Sequence, residues 1–334
     1  MPLITDRQAV LAIYEEARQK GWVIPCFCTE NLTTTEAILT AVLEHGAALD
    51  IPNLPVSIGI TVRYGHRTQA EFYTQTRCWD IGLRLLMAEI AVLAAPGSPF
   101  ADLRIMTHLD HIQFDDDREL LDWDLSGFSS IMFDASKAPF AENIALTRQF
   151  VREQGGQIVI EGACDEIVDA TGAVRSDLTT PERAAAYFAA TGADLIVANL
   201  GTEHRASAET LHYHGEMARL IRDRIGNRIV LHGASSVPGD QIARLADDGI
   251  CKVNLWTALE RDSAPVLLAE MVRHAVEVAG PTQARRLQQE GLLGAACPTD
   301  GRASLDYFTT TWRQTLVFGE MKHHVRACLE LWYH

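Results

Sequence analysis

Residues 103–111 read LRIMTHLDH, an apolar run that closes on His108, Asp110 and His111. Two other runs close in a similar way: LIVANLGTEH at 195–204 delivers His204, and RIVLHGASS at 228–236 delivers His232. Near-continuous apolar runs of this kind suit parallel strands covered outside by helices and packed against one another within. In a barrel of such strands the functional groups lie where the strands end, because the following loops converge on one mouth. Three neutral imidazoles at that rim can collect a divalent metal and leave a fourth position open, as a catalytic site requires. Asp110, next to the first of them, then stands beside the metal as a proton carrier.

Five more runs complete the pattern. Trp22–Cys28, Leu54–Thr61, Leu103–His108, Ser129–Phe133, Gln157–Gly162, Leu195–Leu200, Arg228–His232 and Ile250–Asn254 are eight expected strands alternating with helical segments. Eight βα units predict a closed (β/α)8 TIM barrel over residues 1–262. Thr180-Pro181-Glu182 supplies a cap, a first-turn proline and a first-turn acid for a helix that Gly192 ends. Threonines likewise open a helix over Leu32–Leu43, and His45 before Gly46 reads as a cationic group at its C-terminal end. From residue 263 to 334 the pattern turns helical. Trp312, Leu316, Phe318 and Leu329 there make an apolar face for packing on the barrel or against a second subunit.

A chain of 334 residues, 47% apolar, can bury one large core without a second domain. The net charge of −15, with no long basic cluster, excludes electrostatic binding to nucleic acid or an anionic membrane as its business. No stretch reaches the roughly 18 apolar residues of a membrane span, and MPLITDRQAV lacks the order of a signal peptide, so a cytoplasmic protein is expected. Seven scattered cysteines fit reduced thiols. Cys26 and Cys28 alternate along one strand and read as packing residues or as a metal or redox pair.

Other histidines lack a strand end. His212 and His214 lie beyond the loop near the helical GEMARLIRD, and His323-His324 sits in the tail. Metal chemistry is the natural use of His111, His204 and His232 at their strand ends, since a metal-held carbonyl acidifies its neighbouring carbon and stabilises an enediolate. A carboxylate beside it then suits aldol cleavage or condensation.

In order and spacing the chain resembles the class II, metal-dependent fructose-bisphosphate and tagatose-bisphosphate aldolases. The likeness rests on HLDH at 108–111, GFSSIMFDAS and PFAENI within 127–144, TTPERAAAYFAATGAD at 179–194, LGTEH at 200–204, HGASSVP at 232–238 and CKVNLWTALE at 251–260. It implies Zn²⁺, or another divalent ion, on His111, His204 and His232, with Asp110 as proton donor and acceptor. Asp134 matches a carboxylate of a second metal position, while Gly233, Ser235, Asn254 and Thr257 match residues around the phosphate end or backbone of the ketose. The implied reaction cleaves a ketose phosphate to dihydroxyacetone phosphate and an aldehyde. A homo-oligomer, dimer or tetramer, is implied with it.

Several positions depart from the family pattern. Ala163 replaces the second acid of an E-x-E segment, which weakens a second metal position and leaves Glu161 on the same strand face to substitute in part. Arg205 stands where a glycine follows the second histidine, and its planar cation reads as a grip on phosphate, sulfonate or carboxylate, or as a loop ion pair. Trp256 narrows the phosphate pocket, Cys28 aligns with a substrate-binding asparagine and Thr61 with a serine. The loop DEIVDATGAVRSD offers Glu166 or Asp169 for proton transfer, or as solvated acids. These changes open two alternatives to the phosphorylated ketose: an aldolase or epimerase on a free, sulfonated or acidic sugar, and a noncatalytic aldolase-like subunit.

Overall fold

The computed structural model describes residues 3–65, 67–166, 178–202, 213–234, 237 and 239–334. Eight parallel strands close into a barrel in sequential order: β1 (Ile24–Cys28), β2 (Pro55–Thr61), β3 (Arg104–Gln113), β4 (Ser130–Asp134), β5 (Val159–Ala163), β6 (Leu195–Val197), β7 (Ile229–Leu231) and β8 (Ile250–Leu255). Nearly every strand residue is buried, so the apolar runs do what covered parallel strands demand. With helices between the strands, this is the expected (β/α)8 barrel.

The register decides what reaches the mouth. Cys28 pairs with Gly59, Thr61 with Asp110, Gln113 with Asp134 and Cys26 with Asn254, which sets the ends of β1, β2, β3, β4 and β8 side by side. Gly59 is small for a reason: a Cβ there would lie 2.8 Å from the Cys28 sulfur and 3.0 Å from that of Cys26. Both thiols therefore pack across the β1–β2 seam, and all seven cysteines are free.

The third strand runs five residues past its expected end at His108. Between Leu109 and Ile112 it advances three residues while β4 advances two, from Ile131 to Phe133. That extra residue is a β-bulge, and His111 adopts φ 48° at it. Hydrophobic patterning follows burial and cannot see such a local kink.

Pro181–Thr191 forms the expected helix, with Thr180 accepting from Arg183 N and Gly192 at φ 74° closing it. The helix expected over Leu32–Leu43 instead continues to Leu49. Gly46 does not stop it, because a Cβ there would come within 2.6 Å of Ile51 O, and the glycine serves close packing. His45 is accordingly buried inside the helix, its Nε2 3.2 Å from Tyr333 O, rather than exposed at a terminus.

The helix Thr257–Arg273 crosses positions 262 and 263, and the last helix, Thr310–Trp332, packs on it and on Leu32–Leu49. Trp332 and Tyr333, each 1% exposed, fix the end of the chain to the barrel. Trp332 Nε1 donates to Ile242 O at 3.1 Å, and the Tyr333 hydroxyl donates to Pro55 O at 2.6 Å. Among the described residues no helix is long and apolar enough to cross a membrane.

Candidate active site

At the C-terminal mouth of the barrel lies a cleft. Its walls include Cys28, Thr61, Asp110, His111, His232, Gly233, Asn254 and Thr257, so eight of the expected site residues meet in one place. Asp110, His111 and His232 are buried, with one ligand atom of each within 4.8 Å of the others. His111 Nε2 and His232 Nδ1 stand 3.0 Å apart. Two nitrogens held at metal–nitrogen distance on a tetrahedral ion would be separated by about 3.3 Å, so the pair is close to ligating geometry. His204, the expected third imidazole, lies outside the described residues, as do Arg205, Ser235 and Asp169.

The bulge explains how neighbours in sequence face one site. In an unbroken strand, Asp110 and His111 would point to opposite sides. The extra residue and the left-handed backbone at His111 turn both into the cleft. Tyr64 then stacks on the His111 ring, centroids 4.3 Å apart and planes 8° from parallel. Behind it, Asp134 Oδ2 lies 3.5 Å from His111 Nδ1. A carboxylate behind a ligating imidazole fixes the ring and leaves its other nitrogen for a metal. Asp134 is thus placed behind His111, hydrogen-bonded also to Ser136 at its other oxygen.

Asp110 is held on both oxygens. Asn254 Nδ2 donates to Oδ1 at 2.8 Å and the Cys28 thiol donates to Oδ2 at 3.3 Å. The Cys28 thiol remains protonated, pushed well above its ordinary range by its hydrogen bond with Cys26, by burial and by the Asp110 charge. Burial alone would raise Asp110, but the charge of His111, a hydrogen bond from His108 and the charge of His232 hold it well below the usual carboxylate range. Burial presses His111 downward, yet Asp110 and Asp134 carry it above an ordinary imidazole. The surroundings of His111 therefore favour positive charge, which a divalent ion would supply while leaving the ring neutral.

Beneath the cleft, Glu161 is taken up by Lys252, Nζ to Oε1 2.6 Å, with both side chains fully buried. His108 links this pair to the mouth: its Nε2 lies 3.6 Å from Glu161 Oε2 and 3.6 Å from Asp110 Oδ1, and Ser130 Oγ is 2.8 Å from its Nδ1. Lys252 neutralises Glu161, and Arg67 neutralises Glu30. Asp110 and Asp134 remain as carboxylates of the site with no lysine or arginine partner among the described residues. Two such charges suit a divalent cation.

His108, Tyr64 and Arg67 carry no expectation from the sequence. For His108 a signal existed, because it alternates with Asp110 and must share its strand face. Tyr64 and Arg67 lie on the segment after β2, where no periodicity speaks for them.

A barrel with buried acids and imidazoles gathered at its mouth offers a group of side chains that could hold a metal ion. The family model for class II fructose-bisphosphate aldolase matches residues 8–292, and the chain belongs to that family. It is therefore an aldolase-type lyase, of a family that generally uses a divalent metal. Solved structures share the fold. The fructose-bisphosphate aldolase of Campylobacter jejuni matches with TM-score 0.76 at 16% identity, over 99% of this chain and 95% of that one. A putative fructose-1,6-bisphosphate aldolase from Coccidioides immitis gives 0.66 at 22% identity, and the YdjI aldolase of Escherichia coli K12 gives 0.64 at 19%. Each of these two covers 96% of this chain and 95% of the other.

Proposed function

We propose that this chain is a zinc-dependent aldolase that splits the C3–C4 bond of a phosphorylated ketose, giving dihydroxyacetone phosphate and an aldehyde. The observation that carries this reading is the buried group Asp110, His111 and His232 at the mouth of the barrel. His111 and His232, with His204, would hold the ion. Bound there, zinc supplies a Lewis acid that polarises the ketose carbonyl and spreads the negative charge that develops beside it.

The protein's own groups do the rest. Asp110, kept ionised and aimed by Asn254 and Cys28, takes the proton of the C4 hydroxyl as the C3–C4 bond breaks and its electron pair passes to C3. The same carboxylate returns that proton to C3. Thr61, Gly233, Ser235, Thr257 and Arg205 complete the substrate contacts in this reading, and Asp134 orients His111. A second metal on Asp134 and Glu161 is less well supported, because Lys252 already occupies Glu161. The protein would work in the cytoplasm as a dimer or tetramer, with the tail from 263 as a helical extension of the barrel.

Trp256 on the cleft wall favours a second reading, an aldolase or epimerase on a free, sulfonated or acidic sugar. Turnover of a phosphorylated ketose beside its unphosphorylated twin separates the two. Zinc-loaded protein is expected to bind one ion per chain and to release aldehyde. Asp110→Ala should keep the zinc and lose about 10²- to 10⁴-fold in kcat. Equal turnover in mutant and parent would remove Asp110 from the chemistry, and no turnover in either would favour the noncatalytic subunit.

A further inference from the structure

Among the described residues Arg67 is the only arginine or lysine on the wall of the cleft. Its guanidinium is fixed from two sides. Nε donates to Glu30 Oε1 at 2.5 Å and Nη2 donates to Oε2, while the cation lies 4.9 Å from the ring centroid of Trp256. The main chain is tied as well, since Arg67 N donates to Tyr64 O at 2.8 Å and the Thr61 hydroxyl donates to Arg67 O. An arginine has five N–H donors. Glu30 takes two, and the other three have no acceptor among the described residues.

A pair that only closed a loop would need neither an aromatic floor nor a place on the cleft wall. Here Trp256 follows Asn254 and Leu255 and precedes Thr257, so the platform under the guanidinium belongs to the segment that also aims Asp110. The indole Nε1–H is itself buried with no acceptor among the described residues. Glu30 cancels the formal charge of Arg67, so attraction at this corner comes from directed N–H groups rather than from net charge. Directed donors in a planar array select ligands with two oxygens on one centre.

We infer that Arg67 is a specificity-determining residue that grips the anionic oxygens at one end of the substrate, with Glu30 and Trp256 holding it in place. The shared chemistry is a phosphoryl or carboxylate terminus. This deepens the ketose reading above and rests on it for the identity of the rest of the substrate.

The test uses the zinc-loaded full chain and three ketoses: one phosphorylated, one ending in a carboxylate, one neutral. Arg67→Ala should lower kcat/KM for the anionic ketose that is the true substrate by about 10- to 100-fold, through KM, and should lower that of the neutral ketose by a clearly smaller factor, so that the anionic-to-neutral preference falls. The ketose that suffers the larger loss names the terminus. Arg67→Lys keeps the charge but not the two-point grip, and should recover only part of the loss. It also carries the test if the alanine variant does not fold. Calorimetric titration with inorganic phosphate and with malonate provides a readout apart from turnover, and one of the two should bind at least tenfold more weakly to the variants. An anionic-to-neutral preference equal to wild type in both variants would overturn the inference even while ketose cleavage stands. Absence of all ketose cleavage, with Arg67-dependent anion binding retained, would instead overturn the ketose reading and leave the role of Arg67 intact.

Discussion

Lys252→Met should destabilise the barrel by about 3–5 kcal/mol, the range for removing one partner of a buried ion pair. The structure places this pair at the severe end. Both side chains are 0% exposed, Nζ sits 2.6 Å from Oε1, and the next group able to carry positive charge near Glu161 is His108, 3.6 Å from Oε2. Methionine fills the space of the lysine stem but leaves a carboxylate in a dry interior. At about 2.1 cal/mol/K per residue, the unfolding entropy of 334 residues is about 0.7 kcal/mol/K, so Tm should fall by about 4–7 °C. Scanning calorimetry at neutral pH measures the shift. Lys252→Met combined with Glu161→Leu removes both charges and should recover most of the loss, because an apolar pair of similar volume replaces the ions without a desolvation cost. A double variant as unstable as the single one, or a single variant within about 1 kcal/mol of wild type, would refute the assignment of Lys252 as the counter-charge of Glu161. Activity should fall with the single variant, since His108 spans the distance from Glu161 to Asp110.

Other perturbations probe the edges of the site and the tail. Glu260, half-buried, is pushed up to about 7, first by burial and then by Glu30, against the pull of Arg67. A carboxyl raised in the folded state favours folding less as pH climbs from the ordinary carboxylate value to about 7. Glu260→Gln should therefore match wild type near pH 4.5 and be the more stable protein at pH 8, by an amount on the order of 1 kcal/mol after solvent screening. Parallel melting curves across that interval that never diverge would contradict it. Trp332→Ala removes an indole that is 1% exposed and bonded to Ile242 O, and should cost about 3–5 kcal/mol. Limited proteolysis is expected to cut the Thr310–Trp332 helix in this variant before it cuts the barrel. Gly162→Ala would set a Cβ 2.8 Å from the Tyr187 hydroxyl oxygen, and denaturant titration should register a loss of about 1–3 kcal/mol.

The eight strands were legible because each is a covered apolar run, and the order of a barrel follows from sequential βα units. His111, His232 and Asp110 were legible because strand ends meet at one mouth. What escaped depended on contacts across the barrel or on local backbone. Lys252 was visible as a lysine in the eighth strand, but nothing in the sequence says that β8 faces Glu161 of β5 across the interior. His45 looked like a helix terminus because a glycine follows it, whereas Gly46 serves close packing against Ile51 and Leu54 in a helix that continues. Arg67 sits on a connecting segment, where side-chain direction is set by Glu30 and Trp256 rather than by any period.

The bulge in β3 ties these levels together. The proposed function sets a proton carrier, Asp110, one residue from a metal ligand, His111, a demand that a regular strand cannot meet, since alternation would send one of the two into the helix layer. The structure meets it by inserting a residue and placing His111 at φ 48°, a conformation that costs a non-glycine residue about 1–3 kcal/mol. Glycine would relieve that strain but would have no ring to offer. The Tyr64 stack and the Asp134 contact both act on the imidazole in this orientation and offset that cost locally. Tyr64 and Asp134 therefore belong to the site even though neither is required to touch substrate. Removing either should release the ring before it unfolds the barrel, because the strands on both sides of the bulge keep their register with β2 and β4.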